Sequence, residues 1–285
     1  MTGRWVHRMA GCGAVALAVA LLAAGLAPVQ ARAAESRHLL LEYEVYVGGF
    51  HTFSIAYDAQ LGPASYDVTV SLDGRGIMDW WFAWTMKAFS QGRLAGDGVV
   101  PVRAGADSSW KGKHRRTRLF YPPDGPPAVE LDPLPDEDDG EEVRPALRKG
   151  ARDLAGALFA LLSRVGAEKR CGGREPVFDG RRRYDLVLTH RGEERLEAGP
   201  NSPYAGPALR CTVEIERIAG YPRKPRRPGW RDANRASIWL APAFAGLPPV
   251  PVRLELDTRM GSLRAHLAQA TLAADGAVQR IAQAR

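Results

Sequence analysis

The sequence predicts a mainly β protein: a highly curved antiparallel sheet or incomplete β-barrel with one packed α-helix. Three observations lead there. Apolar and polar residues alternate with a period of two through most of the chain, broken by glycine, proline and Asp-Gly turns at intervals of roughly 10–15 residues, the rhythm of a meandering sheet. A single stretch, from Leu154 to Val165, carries an apolar stripe at helical spacing. Two cysteines, Cys171 and Cys211, bracket strand-like runs and an Asp179-Gly180 turn.

The strands are predicted in order. Leu41, Tyr43, Val45 and Val47 share one face, and Gly48-Gly49 turns the chain back through Phe53, Ile55, Tyr57, Ala59 and Leu61. Tyr66, Val68, Val70 and Leu72 form a third strand. The period then changes: Ile77, Trp80, Trp81 and Trp84 stand at helical spacing, which predicts a short helix or turn before a strand over 85–94. Strands follow near 100–105, 114–121 and 128–131. The acidic, proline-rich stretch 132–145 reads as a surface loop. Asp153 is placed to cap the one long helix, which Gly166 is expected to end. Between the cysteines, Tyr184, Leu186 and Leu188 alternate with polar residues, and Arg191-Gly192 offers a turn. Leu209, Cys211, Val213 and Ile215 share a face, so Cys211 points with the apolar residues. Closing strands are predicted over 237–241, 250–258 and 262–272, with a frayed tail from 273 to 285.

The N-terminus sets the compartment. Arg4, His7 and Arg8 precede an apolar run from Ala14 to Ala27 and an Ala31-Arg32-Ala33 cleavage pattern, so residues 1–33 are expected to be a removed secretory signal and the chain periplasmic. The apolar run is shorter than the roughly 20 residues of a spanning helix, and Cys12 precedes that run, the wrong order for lipidation. Residues 34–272 are expected to form one β domain. Of 39 basic and 32 acidic side chains, Arg4, Arg8 and Arg32 leave with the signal, so 36 face 32 and the balance is +4. That mild excess suits anionic envelope surfaces and does not call for nucleic acid. In an oxidising compartment Cys171 and Cys211 are expected to be bonded, closing a loop of about 40 residues; two separate thiols are the alternative. A metal site is not expected, because the pair lacks Cys-x-x-Cys spacing and histidine partners.

In order and spacing, the segments YEVYVGGF, GIMDWWFAW, SQGRLAGDGVVPVR, WKGKHRRTRLFY, PVFDGRRRYDL, YAGPALRC and SIWLAPAFAGLPPVPVRLEL resemble the exported bacterial family known as domain of unknown function 3108. The resemblance covers about residues 38–272. It implies an exported, mostly β protein and supplies no activity and no catalytic residues.

The residues themselves predict no catalytic site. There is no Gly-x-Ser-x-Gly elbow, zinc helix, P-loop or dinucleotide fingerprint. His38, His51, His114, His190 and His266 are scattered. Asp179 and Asp185, close in sequence, could do acid–base work, but turn formation and pairing with Arg181, Arg182 and Arg183 account for them better. Lys113, Arg116 and Arg118, with Arg181 and Arg183, are candidate anion-binding residues, on strands that positive charge would also protect at an edge. Trp80, Trp81 and Trp84 either line an apolar ligand space or plug one end of the sheet. The acidic loop lacks EF-hand spacing. The expected role is that of a monomeric, cofactor-free, non-catalytic binder of a lipid or other amphiphile, or of an envelope protein. An envelope polysaccharide hydrolase and a purely structural assembly partner are the alternatives.

Overall fold

The computed structural model describes residues 36–75, 84–95, 98–135, 140–222, 234–258 and 261–282. Fourteen strands form one antiparallel sheet. They are β1 (Arg37–Val47), β2 (Phe50–Leu61), β3 (Ser65–Gly74), β4 (Trp84–Ala95), β5 (Gly98–Trp110), β6 (Lys113–Phe120), β7 (Ala128–Asp132), β8 (Arg174–Phe178), β9 (Arg183–Leu196), β10 (Gly206–Ala219), β11 (Arg235–Ala241), β12 (Val250–Thr258), β13 (Gly261–Ala274) and β14 (Ala277–Ala282). The order across the sheet is β7-β6-β5-β4-β3-β2-β1-β13-β12-β11-β10-β9-β8, with β14 branching from β13. The predicted curved, incomplete barrel is what forms: one open sheet, with no ladder joining β7 to β8 among the described residues.

The two flanks are instead drawn together by side chains and by residues 151–153. The Arg152 N–H donates to Pro176 O (2.9 Å) and its carbonyl accepts from the Phe178 N–H (2.9 Å), which covers the outer edge of β8. Arg152 Nε reaches Val99 O on β5 at 3.3 Å. The tip of the β8–β9 hairpin lies on the opposite flank. At Gly180, with φ 97°, any Cβ would sit 2.4 Å from Thr117 Cγ2 of β6, so only glycine allows this approach.

Two helices follow β7: a short one, α1 (Pro145–Arg148), which the periodicity did not show, and the predicted long one, α2 (Leu154–Glu168). Asp153 caps α2 by accepting from the Gly156 N–H at 3.1 Å. The helix does not stop at Gly166. It ends at Lys169, which adopts the left-handed conformation (φ 53°) and donates to Val165 O. Gly166 serves close approach instead, since a Cβ there would lie 3.2 Å from Pro249 Cδ.

Helix α2 fills the concave side. Its Ala157, Leu161 and Val165 join Val177, Tyr184, Leu186, Leu188, Cys211, Ile238 and Leu240 in one buried cluster. Ala155 and Phe159 face a second cluster that includes Leu39, Leu41, Leu61, Tyr66, Val68 and Val99. A third, around Leu119, Val143 and Phe178, closes the gap between the flanks. Glu175 on β8 is buried and binds both Arg152 and Arg164, which ties the helix to that strand.

Two other sequence expectations are corrected. Arg191-Gly192 is not a turn: β9 runs through it to Leu196, and the register with β10 shifts there, between Arg210 and Cys211. A β-bulge absorbs the extra residue, which a glycine in a strand can signal as well as a turn. The tail is not frayed from 273 either. β13 continues to Ala274, and β14 pairs with it over Ala277–Ala282, its Ile281 packing on the core.

Candidate functional site

Cys171 and Cys211 lie at disulfide distance, with Cα atoms 6.1 Å apart, inside the cluster that holds α2 to β9–β11. Neither thiol is available for surface chemistry: both positions are buried. Trp80 and Trp81, like residues 1–33, the loop residues 136–139 and the basic connection 223–233, lie outside the described residues. Trp84 opens β4. It is partly buried and meets Phe53 of β2 edge-on, with ring centroids 5.6 Å apart. Gly74, opposite Phe53 in the β2–β3 register, has no side chain to separate the two rings.

The two aspartates are held by different partners. Asp179 Oδ1 accepts from the backbone N–H groups of Arg181 (2.9 Å) and Arg182 (2.7 Å), the hydrogen bonding of an Asx turn. Burial nevertheless pushes its carboxyl above the ordinary range. Asp185 accepts from Arg174 (2.8 Å) and Arg183 (2.6 Å). Burial raises this carboxyl as well, but the hydrogen bonds and charges of the two guanidiniums outweigh it and hold Asp185 low. Opposite shifts can mark an acid–base pair. Here each carboxylate is held by separate donors.

The candidate anion-binding residues are also largely engaged. Arg116 (2.8 Å) and Arg118 (2.6 Å) both bind Asp107, and Arg118 lies over the Phe89 ring. Arg183 spans Asp185 and the carbonyl of Leu147. Arg181 donates to Pro133 O. Lys113 is exposed at the start of β6.

The register builds one arrangement that sequence reasoning missed, a polar row across seven strands. Asp73 stands opposite Ser54, and Ser54 opposite Glu44. Glu44 faces His266, and His266 faces Arg253. Arg253 is opposite Trp239, and Trp239 opposite Arg210. Trp239 is only 3% exposed. The guanidiniums of Arg210 (5.4 Å) and Arg253 (4.7 Å) cover its ring, and its Nε1–H donates to Glu194 at 2.8 Å. In the middle of the row, Ser54 donates to Glu44 at 2.8 Å, His51 pairs with the same carboxylate oxygen, and Arg75 donates to Ser54 Oγ at 2.9 Å.

Serine, histidine and glutamate are therefore neighbours, in an order unsuited to nucleophilic catalysis. A relay needs the imidazole between hydroxyl and carboxylate. Here the carboxylate is in the middle, and Ser54 donates to it and not to an imidazole. Burial, followed by the Arg253 guanidinium, holds His266 below its ordinary value, favouring the neutral form. No sequence spacing marks this row, because its members are brought together by strand register alone.

The described residues line several hollows, among them a cleft and a smaller cavity. A cleft of about 410 Å³ is lined by Gln60, Tyr66, Asp67, Gln91, Val102 and Arg103, and a cavity of about 140 Å³ by Asp179, Arg182, Tyr184, Arg217, Tyr221 and Asn234. Among the described residues no group of three or more metal-capable side chains gathers, and no helix is long and apolar enough to cross a membrane.

Fold and site together define an open, helix-filled antiparallel sheet. The family model described as a protein of unknown function, DUF3108, matches residues 42–268, and the chain belongs to that family. The crystal structure of a beta-barrel-like protein of domain of unknown function DUF1849 from Brucella abortus is similar at 10% identity, over 85% of this chain and 99% of that one, with a TM-score of 0.45. The comparison with curated proteins gives no match.

Proposed function

We propose that this chain is a non-catalytic periplasmic protein that binds another component of the cell envelope through its outer surface. One observation carries the reading: the concave side, where a carrier would hold its cargo, is occupied by α2 and by the sheet's own side chains. Of the two ligand classes the sequence suggests, an enclosed lipid would compete for space with these clusters, whereas an envelope protein or a membrane surface would not. The committed state of Asp179, Asp185 and Glu44 supports a binding role over hydrolysis. The exported location rests on the leader-like residues 1–33.

Native mass spectrometry of the protein recovered from the periplasm tests both parts. The expected species is a chain beginning near Ala34 with no amphiphile attached. A stoichiometric lipid surviving gentle desolvation overturns the outward-binding reading in favour of a carrier. A chain that keeps residues 1–33 overturns export by a cleaved signal.

A further inference from the structure

One end of the sheet collects features that the polar row and the core leave unused. The β1–β2 hairpin closes at Val47 opposite Phe50, and the β5–β6 hairpin at Trp110 opposite Lys113. Both closures lie at the same end. Trp84 is the β4 residue opposite Trp110 and touches Phe53, and the Arg75 N–H donates to Thr52 O at 2.9 Å. Gly48 N donates to Ser262 O at 3.0 Å, which brings the start of β13 to this end too.

The side chains at these tips are of two kinds. Phe50 is 65% exposed and Trp110 47% exposed, among the largest apolar exposures in the described residues. Residues 110–116 are exposed throughout and include Lys111, Lys113 and His114. Lys111 Nζ lies 5.8 Å from the Trp110 ring centroid, so ammonium and indole present a joint surface. Asp107 on β5 is taken up by Arg116 and Arg118, and Asp132 on β7 stands opposite Arg116. Asp73 and Asp257 belong to the other hairpins of this end.

We propose that this end docks on an anionic phospholipid surface, with Trp110 and Phe50 entering the interfacial layer and Lys111 and Lys113 meeting lipid phosphates. Charge complementarity and chemistry select this occupant. An indole beside ammonium groups at a protruding tip matches the headgroup region, where amphipathic rings settle and cations gain from the surface potential. The inference deepens the outward-binding reading, and rests on it, by naming the surface.

Co-sedimentation of the mature chain with vesicles tests it. Vesicles containing phosphatidylglycerol are expected to bind the protein and phosphatidylcholine vesicles to bind it weakly, the difference disappearing at high salt. K111E/K113E is expected to weaken anionic binding at least about tenfold, each lysine being worth roughly fivefold at such a surface. W110A and Phe50→Ser are expected to weaken it about threefold each through the interfacial contribution of the rings, with blue-shifted tryptophan emission on vesicles in the wild type only where Trp110 is present. All the substituted positions are exposed, so thermal midpoints should hold; if one variant loses its fold, the others still decide. Absent binding by the wild type, binding unmoved by K111E/K113E, or equal binding to both vesicle types overturns the proposal. Lost vesicle binding alongside specific capture of one envelope protein removes this inference and leaves the proposed function standing.

Discussion

Cys211 on β10 and Trp110 on β5 both belong to long hairpins, yet the first is fully buried and the second is 47% exposed. The difference follows from what lies beside each flank. Strands β8–β11 have α2 laid across them and a cystine-distance pair at the centre of the contact, so their alternate side chains have somewhere to go. At the tip of the β5–β6 hairpin residues 110–116 are exposed throughout, and they are charged, polar or aromatic apart from Gly112. The helix flank is where a substitution should cost stability. The hairpin end is where a substitution should change binding and little else.

The largest test of that division is the cysteine pair. Removing a cross-link over about 40 residues is expected to cost on the order of 4 kcal/mol in the chain-entropy treatment. C171S/C211S should therefore lower the denaturation midpoint strongly while any surviving folded fraction still binds its partner. Titration of two free thiols in the native protein removes the bond from the account of this flank. Leu161 of α2, 1% exposed, comes next: Leu161→Ala is expected to cost about 3 kcal/mol through lost burial and a residual cavity. A loss below about 1 kcal/mol, measured by urea denaturation, would mean that α2 is not an integral plug.

Much of this was legible before the fold was known. Asp153 as a cap, the stripe of α2 and the inward direction of Cys211 depend on local spacing, which a sequence displays directly. The Asp179-Gly180 turn was legible for the same reason. Arg191-Gly192 misleads because glycine serves a bulge as readily as a turn, and only the partner strand decides between them. β14 was missed because its residues are nearly all exposed and, among the described residues, it pairs with β13 alone, so alternation has no buried face to reveal. The polar row was out of reach altogether. Glu44 and His266 are separated by most of the chain, and nothing in either neighbourhood announces the register that pairs them.

A smaller effect concerns Asp185, at the margin of the helix flank. Its folded pKa is depressed, so its contribution is present above the ordinary aspartate value of about 3.9 and is lost as the pH falls through the lower folded value. D185N is expected to lose about 2 kcal/mol at neutral pH, from charge-assisted hydrogen bonds to Arg174 and Arg183. Its stability should also fall less steeply than wild type on acidification below that value. Parallel acid-unfolding curves would show that the paired aspartate is not what makes this flank acid-sensitive.

The smallest expected effect lies on the boundary between the two regions. Trp84 faces inward at the hairpin end, partly buried, and its edge-to-face contact with Phe53 spans the gap that Gly74 leaves. If the pair belongs to the packed interior, a double-mutant cycle with Trp84→Ala and Phe53→Ala should give a coupling of about 1 kcal/mol in stability, the usual worth of such ring geometry beyond burial. Neither variant should then alter vesicle binding, since Trp110 and Phe50 carry the exposed aromatic surface. Should Trp84 instead line a ligand space, the order reverses: coupling in stability falls toward zero, and an apolar probe loses affinity in Trp84→Ala. Because Trp84 lies next to Trp110 in the ladder, with Phe53 on its other side, this one cycle locates where the stabilising interior ends and the binding surface begins.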